Sequence, residues 1–283
     1  MSQLRPLAFL TTGFRHRDLI ARLAWRRVQS RYRGSMLGAA WLVVQPALLL
    51  AVYTLVFSLV FEAKWGVSGA EAWSADGTRA LVDDPFAFGL LVYSGVLLLS
   101  FFSDCVNEAP RLMLDHERFI VQVRFPVEIL PWVSLVSSFY LFLAGAAVLL
   151  VTTVALYGLP STLVLVFPLI LIPLAFLTLG VCWFLSSLGV YFRDLSQLTV
   201  MATTALLFLS PVFYPASRVP EALRGVYALN PFATLLEGSK SLLFFGHAPD
   251  WVALAVVTFV SFAVAGLGHA WFMYTRRGFA DVV

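Results

Sequence analysis

The chain has 283 residues, of which 60% are hydrophobic and 12% charged, with a mean hydropathy of +0.86 and a formal net charge of +3. Soluble domains carry roughly 25% charged residues. A globule with so few charges could not cover itself in water, so the bilayer must solvate most of this chain. Cys105 and Cys182 fall in different apolar segments with no CxxC and no Cys/His cluster. That excludes a disulfide framework and a zinc site as the basis of the fold.

Residues 1–34 come first, and 1–33 hold eight arginines, among them Arg15, Arg17, Arg22, Arg26, Arg27, Arg31 and Arg33. Leu19, Ile20, Leu23, Ala24, Trp25 and Val28 recur at helical spacing between them. A basic amphipathic helix with a Trp suits the membrane interface. Binding nucleic acid fits poorly, because the helix runs straight into a span. No short apolar run ends in a cleavage site before Arg33, so a signal peptide is not expected.

The apolar runs predict spans at about 37–61, 86–105, 130–156, 162–190, 195–213 and 251–274. From Ile129 to Phe192 there is no charged residue. One span needs about 20 apolar residues, so this stretch holds two, broken at Tyr157-Gly158-Leu159-Pro160-Ser161. The fourth span contains Pro168 and Pro173, which membrane helices tolerate when neighbours satisfy the freed carbonyls.

Three connections stand out. The 62–85 loop is polar and acidic, with Glu62, Glu71, Asp76, Asp83 and Asp84. The 107–126 loop mixes both charges with Leu112, Leu114, Phe119, Ile120 and Val121. A short amphipathic helix presented to a partner and an unpartnered interfacial loop fit its composition equally. The 218–245 segment carries Pro220, Gly225, Pro231 and Gly238 among Glu221, Arg224, Glu237 and Lys240. It is too polar and broken to span, yet too apolar for a loop. Two short helices that dip into the bilayer and return would fit it; so would a folded cap outside.

Charge sets the orientation. Arg111, Arg118, Arg124, Arg193, Arg276 and Arg277 share a side with the eight N-terminal arginines, against Lys64, Arg79, Arg218, Arg224 and Lys240 opposite. The positive-inside rule then puts both termini in the cytoplasm.

Catalytic patterns are missing. There is no GxxxxGK[ST]; Gly238-Ser239-Lys240-Ser241 lacks the Gly before Lys240 and falls outside the cytoplasm. HExxH and GxSxG are also absent. Ion-coupled carriers place ionisable residues in mid-membrane. Here Asp104 sits at the end of the second span, and Arg193-Asp194 in a tight turn reads as a local ion pair. Any energy must therefore come from another chain, or the protein is a passive channel. Aromatics crowd the spans, including Trp41, Tyr53, Phe57, Phe208, Phe213 and Tyr214. Most such rings are anchors or packing, although a subset could stack on sugar faces.

In order along the chain stand Arg17-Asp18-Leu19, Trp25-Arg26-Arg27, Arg31-Tyr32-Arg33-Gly34-Ser35-Met36-Leu37-Gly38, Trp41 and Pro46. Tyr53-Thr54-Leu55-Val56-Phe57, Gly189-Val190-Tyr191-Phe192-Arg193-Asp194-Leu195, Ser210-Pro211-Val212-Phe213-Tyr214-Pro215 and Leu229-Asn230-Pro231-Phe232 follow. In these pieces the chain resembles the membrane subunit of ABC-2 type exporters of cell-surface polysaccharides such as O-antigen, teichoic acid and capsule, from about residue 13 onward. The resemblance implies an all-α fold of six transmembrane helices over 35–276, an N-terminal amphipathic interfacial helix, and re-entrant helices between the fifth and sixth spans. It implies a homodimer in the bacterial inner membrane and a lipid-linked glycan as substrate. Two cytoplasmic ATPase subunits would bind ATP and Mg, so this chain would hold no cofactor and would not be an enzyme. The 107–125 loop would be the coupling helix, with Arg111, Asp115, Glu117, Arg118 and Phe119 at the ATPase and Arg193-Asp194 in a cytoplasmic turn. Trp41, Tyr53, Phe57, Phe208, Phe213 and Tyr214 would line the channel. A small lipophilic compound is the alternative cargo. A membrane-embedded lipid or glycan enzyme would need a polar cluster at a membrane face, which the sequence lacks.

Overall fold

The computed structural model describes residues 8–57, 84–116, 125–214, 219–221, 225, 227 and 229–281. Within them the chain forms α1 (Ala8–Arg15), α2 (Arg17–Tyr32), α3 (Trp41–Leu55), α4 (Pro85–Glu108), α5 (Leu130–Tyr157), α6 (Pro168–Tyr191), α7 (Leu195–Leu209), α8 (Pro231–Lys240) and α9 (Trp251–Thr275). Five helical stretches among the described residues are long and apolar enough to cross a bilayer: Gly38–Leu55, Phe86–Arg111, Val127–Tyr157, Thr162–Tyr191 and Trp251–Phe279. This is a multi-pass membrane protein.

Local chemistry sets the helix ends. Asp84, Ser161, Asn230 and Asp250 each accept a backbone N–H in the first turn of the helix that follows, which satisfies donors the helix cannot pair itself. The predicted break at 157–161 is realised by Gly158 at φ 86°, a left-handed position that favours glycine. Pro168 opens α6 at its first turn, while Pro173 lies inside the helix. The predicted 195–213 span is cut short at Leu209. Ser210 precedes Pro211 and is extended, at φ −97° and ψ 153°, because the proline ring disfavours helical geometry in the residue before it.

Directions follow from contacts. α2 lies against the start of α5, burying Ile20, Ala24 and Val28 at successive turns, with Ile20 and Ala24 packed on Ile129 and Val133. At the opposite end Tyr157 Oη donates to Asp84 Oδ2 at 2.5 Å. α4 and α5 are therefore antiparallel, between an arginine-rich end and a far end.

α4 is the hub. Its apolar window is 78% buried, against 6% for the window covering α3. α6 and α9 run parallel and form the most extensive helix pair. A methyl on Gly268 would overlap the Gly180 carbonyl, and one on Gly180 would strike Val264. Small residues let membrane helices approach to backbone contact in this way. Phe9 from α1 plugs the side of that pair, ringed by Phe176, Trp183, Phe262 and His269. Cys105 on α4 and Cys182 on α6 are brought together as buried free thiols.

Candidate transport path and arginine-end interlock

The path candidates converge near the far end of α3. Tyr53 and Phe57 are stacked with centroids 6.4 Å apart, and Phe57 stacks on Phe213 at 5.9 Å with an interplanar angle of 26°. Phe208 meets Phe213 at 5.8 Å, and Tyr214 Oη donates to the Phe208 carbonyl at 3.1 Å. Five of the six predicted aromatics thus form one run across α3, α7 and the turn after α7. Trp41 does not join them. It opens α3, and Phe57 lies roughly 24 Å along the chain's helical rise from it.

The turn that presents Phe213 is held from α8. Asn230 Nδ2 donates to Ser210 Oγ at 3.0 Å, while its Oδ1 accepts from the Phe232 amide at 3.0 Å. Lys240, 3% exposed at the end of α8, donates from Nζ to the Pro211 carbonyl at 2.5 Å and to the Val212 carbonyl at 3.3 Å. Both carbonyls belong to the turn past the end of α7, and Lys240 supplies the donor that no helix hydrogen bond gives them. The turn sits deep: Val212 and Leu236 pack over Gly95, and Phe232 meets Phe102 at 4.7 Å. Gly95 is roughly 15 Å along α4 from its far end.

A second set of contacts ties the helices together at the arginine-rich end. Arg27 of α2 pairs with Glu108 at the end of α4, and Ser134 Oγ of α5 donates to Glu108 Oε2 at 2.8 Å. Burial lowers the affinity of Arg27 for its proton, yet a guanidinium stays charged in proteins. Arg276 pairs with Glu128 at 2.8 Å, and Trp183 Nε1 donates to the Glu128 carbonyl at 3.1 Å. Thr203 Oγ1 of α7 donates to Asn107 Oδ1 at 3.0 Å. Gly189 of α6 has no room for a side chain beside the Pro110 backbone.

Ala109–Arg111 and Leu114–His116 are two short 3-10 turns. Leu112 and Met113 are buried, while Arg111 and Asp115 are exposed. Glu117, Arg118 and Phe119 lie outside the described residues. Arg193 and Asp194 are both exposed in the turn between α6 and α7, and the expected ion pair between them is not found among the described residues. Glu108, Arg27, Asn230 and Lys240 were not singled out as site residues from the sequence. Only Asn230, before a proline and an apolar run, carries a local signal, that of a helix cap.

Long apolar helices, with α7 ending at Leu209 short of a full span and an aromatic run beside that end, define a multi-pass membrane protein. Residues 18–244 match the ABC-2 type transporter family, and the chain belongs to that family. It is 27% identical over 272 residues to an O-antigen export system permease protein RfbA of Myxococcus xanthus, covering 95% of this chain and 97% of that protein. To a protein of the same description from Klebsiella pneumoniae it is 22% identical over 268 residues, covering 94% of this chain and 95% of the other.

Proposed function

We propose that this chain is the channel-forming membrane subunit of an ATP-driven exporter that moves a lipid-linked cell-surface polysaccharide, O-antigen or a related glycan, out of the cytoplasm. The observation that carries the reading is likeness along nearly the whole chain to permeases described as exporting O-antigen. The aromatic run from Tyr53 to Tyr214 supports it, since ring faces can stack on sugars while a polar polymer cannot enter hydrocarbon.

In this reading the arginine-rich end faces the cytoplasm, as the positive-inside rule requires, with both termini there and the chain in the bacterial inner membrane. The chain crosses six times. α6 ends at the arginine-rich end and α9 begins at the far end, so α7 and the turn after it make the fifth crossing, and α8 is re-entrant. α7 has 15 residues, about 22 Å, too short for a span of about 30 Å by itself. Two copies form the transporter. Val43, Leu48 and Val52 on α3 and Met201 and Phe208 on α7 are exposed, and a second copy facing them would enclose the path. Two separate ATPase subunits bind ATP and Mg. Arg111 and Asp115, with Glu117, Arg118 and Phe119, dock on them beside Arg193-Asp194. Pro110 against Gly189 and Glu108 against Arg27 then carry the movement into α6 and α2.

Deleting the gene and restoring it on a plasmid tests the reading. Surface polysaccharide should vanish and return, with lipid-linked glycan accumulating inside in between. Unchanged surface glycan alongside loss of efflux of a small lipophilic compound would replace it with the drug-exporter reading.

A further inference from the structure

Between α2, α3, α4 and α5 runs a cleft that the aromatic path does not use. Its lower chamber, about 370 Å³, is lined by Arg27, Arg31, Asp104, Glu108 and Ser138. Its upper chamber, about 170 Å³, is lined by Leu49, Val96, Leu97, Phe101 and Phe142. Arg31, Asp104, Ser138 and Leu141 border both, so the two chambers are continuous.

Charge within the lower chamber is unevenly satisfied. Glu108 is taken by Arg27 and Ser134. Arg31 and Asp104 have exposed side chains and attract each other across the chamber, but make no contact ion pair or hydrogen bond among the described residues. Their depth is set by α4. Asp104 lies about 30 Å along the helix from Pro85, the thickness of a hydrocarbon core. One cation and one anion thus stand at the level where lipid headgroups lie, below a slot of apolar side chains.

We propose that this cleft binds a phospholipid whose headgroup carries both a phosphate and a primary ammonium, namely phosphatidylethanolamine. The Arg31 guanidinium takes the phosphate with paired N–H donors. The Asp104 carboxylate accepts from the ammonium. One acyl chain lies in the slot beside Leu97 and Phe101. A purely anionic headgroup, or the diphosphate of an isoprenyl carrier, would meet Arg31 but be repelled by Asp104, since Glu108 is neutralised by Arg27. A choline headgroup offers Asp104 no N–H. The inference goes beyond the proposed function and holds whatever the glycan.

Native mass spectrometry of the purified full chain, mixed with equal amounts of phosphatidylethanolamine, phosphatidylcholine, phosphatidylglycerol and undecaprenyl diphosphate, tests it. Retention of phosphatidylethanolamine should exceed that of each other lipid about tenfold, the worth of one charge-assisted hydrogen bond. Asp104→Asn should erase the preference over phosphatidylglycerol, and Arg31→Gln should weaken retention of both phospholipids. Equal retention of the lipids by the wild-type chain overturns the proposal, as does a preference for undecaprenyl diphosphate or a preference that survives Asp104→Asn. The wild-type comparison decides the matter even if a variant fails to fold.

Discussion

α6 with α9, and α3 with α7, are built on opposite principles. The first pair is joined backbone to backbone through Gly180 and Gly268, closed at the arginine-rich end by Ser187 and Thr275 at 2.6 Å, and plugged from the side by Phe9. The second pair leaves Val52 at 55% and Phe208 at 62% exposure and is linked through the rings of Phe57 and Phe213, just past the two helix ends. Close packing transmits force and resists change, whereas a face with few partners can move or receive a partner. Under the proposed function the α6–α9 side serves as the frame and the α3–α7 side as the working surface, with α4 between them.

Substitutions at the glycine contact should break the frame. Gly268→Leu forces a side chain into the Gly180 backbone and should cost about 3 kcal/mol or more. Thermal unfolding in detergent, or yield of monodisperse protein, reads this. A Gly268→Leu protein as stable as wild type would remove the frame from the account.

A smaller effect is expected at the arginine-rich end. Arg27→Ala leaves Glu108 with Ser134 alone, and both partners are about a third exposed. The expected loss is about 1–2 kcal/mol. Glu108→Lys should be worse than Arg27→Ala, since it places two cations together. The double change Arg27→Glu with Glu108→Lys should recover part of the loss in melting temperature.

On the working surface the expectation reverses, with transport falling more than stability. Phe213→Ala removes the ring between Phe57 and Phe208 and should slow export about fivefold, on the order of one ring contact. Phe213→Tyr should keep most of the rate. Quantifying surface glycan per molecule of permease in the membrane checks both. The smallest effect belongs to Asp250→Ala, which loses a cap to the Val252 and Ala253 amides and should cost about 1 kcal/mol with export unchanged.

Where the signal was local, the sequence was readable. The charge-free stretch from Ile129 to Phe192 became α5 and α6, because hydropathy and a Gly-Pro break act on neighbouring residues. The early stop of α7 was legible in Ser210-Pro211, although the apolar run continues to Phe213 and masked it. The Arg27–Glu108 pair and the hold of Lys240 on the turn after α7 join residues far apart in sequence, one basic side chain among many, and no periodicity selects them. Lys240 fails as a nucleotide site by sequence, and its partners are backbone carbonyls that carry no residue code. Among the aromatics, Trp41 looked like Tyr53 and Phe57 by composition, yet helical rise puts it at the other end of α3.

Two exposed phenylalanines, one on each contrasted helix pair, give the most direct test, Phe208 at 62% on α7 and Phe259 at 75% on α9. Each is replaced by cysteine in a chain whose Cys105 and Cys182 are serine, and each is challenged in intact membranes with a water-soluble thiol reagent. If the α3–α7 side borders a wet path and the α6–α9 side faces lipid, Phe208→Cys reacts and Phe259→Cys does not. Equal reactivity at the two positions, or reaction at Phe259→Cys alone, would contradict the assignment.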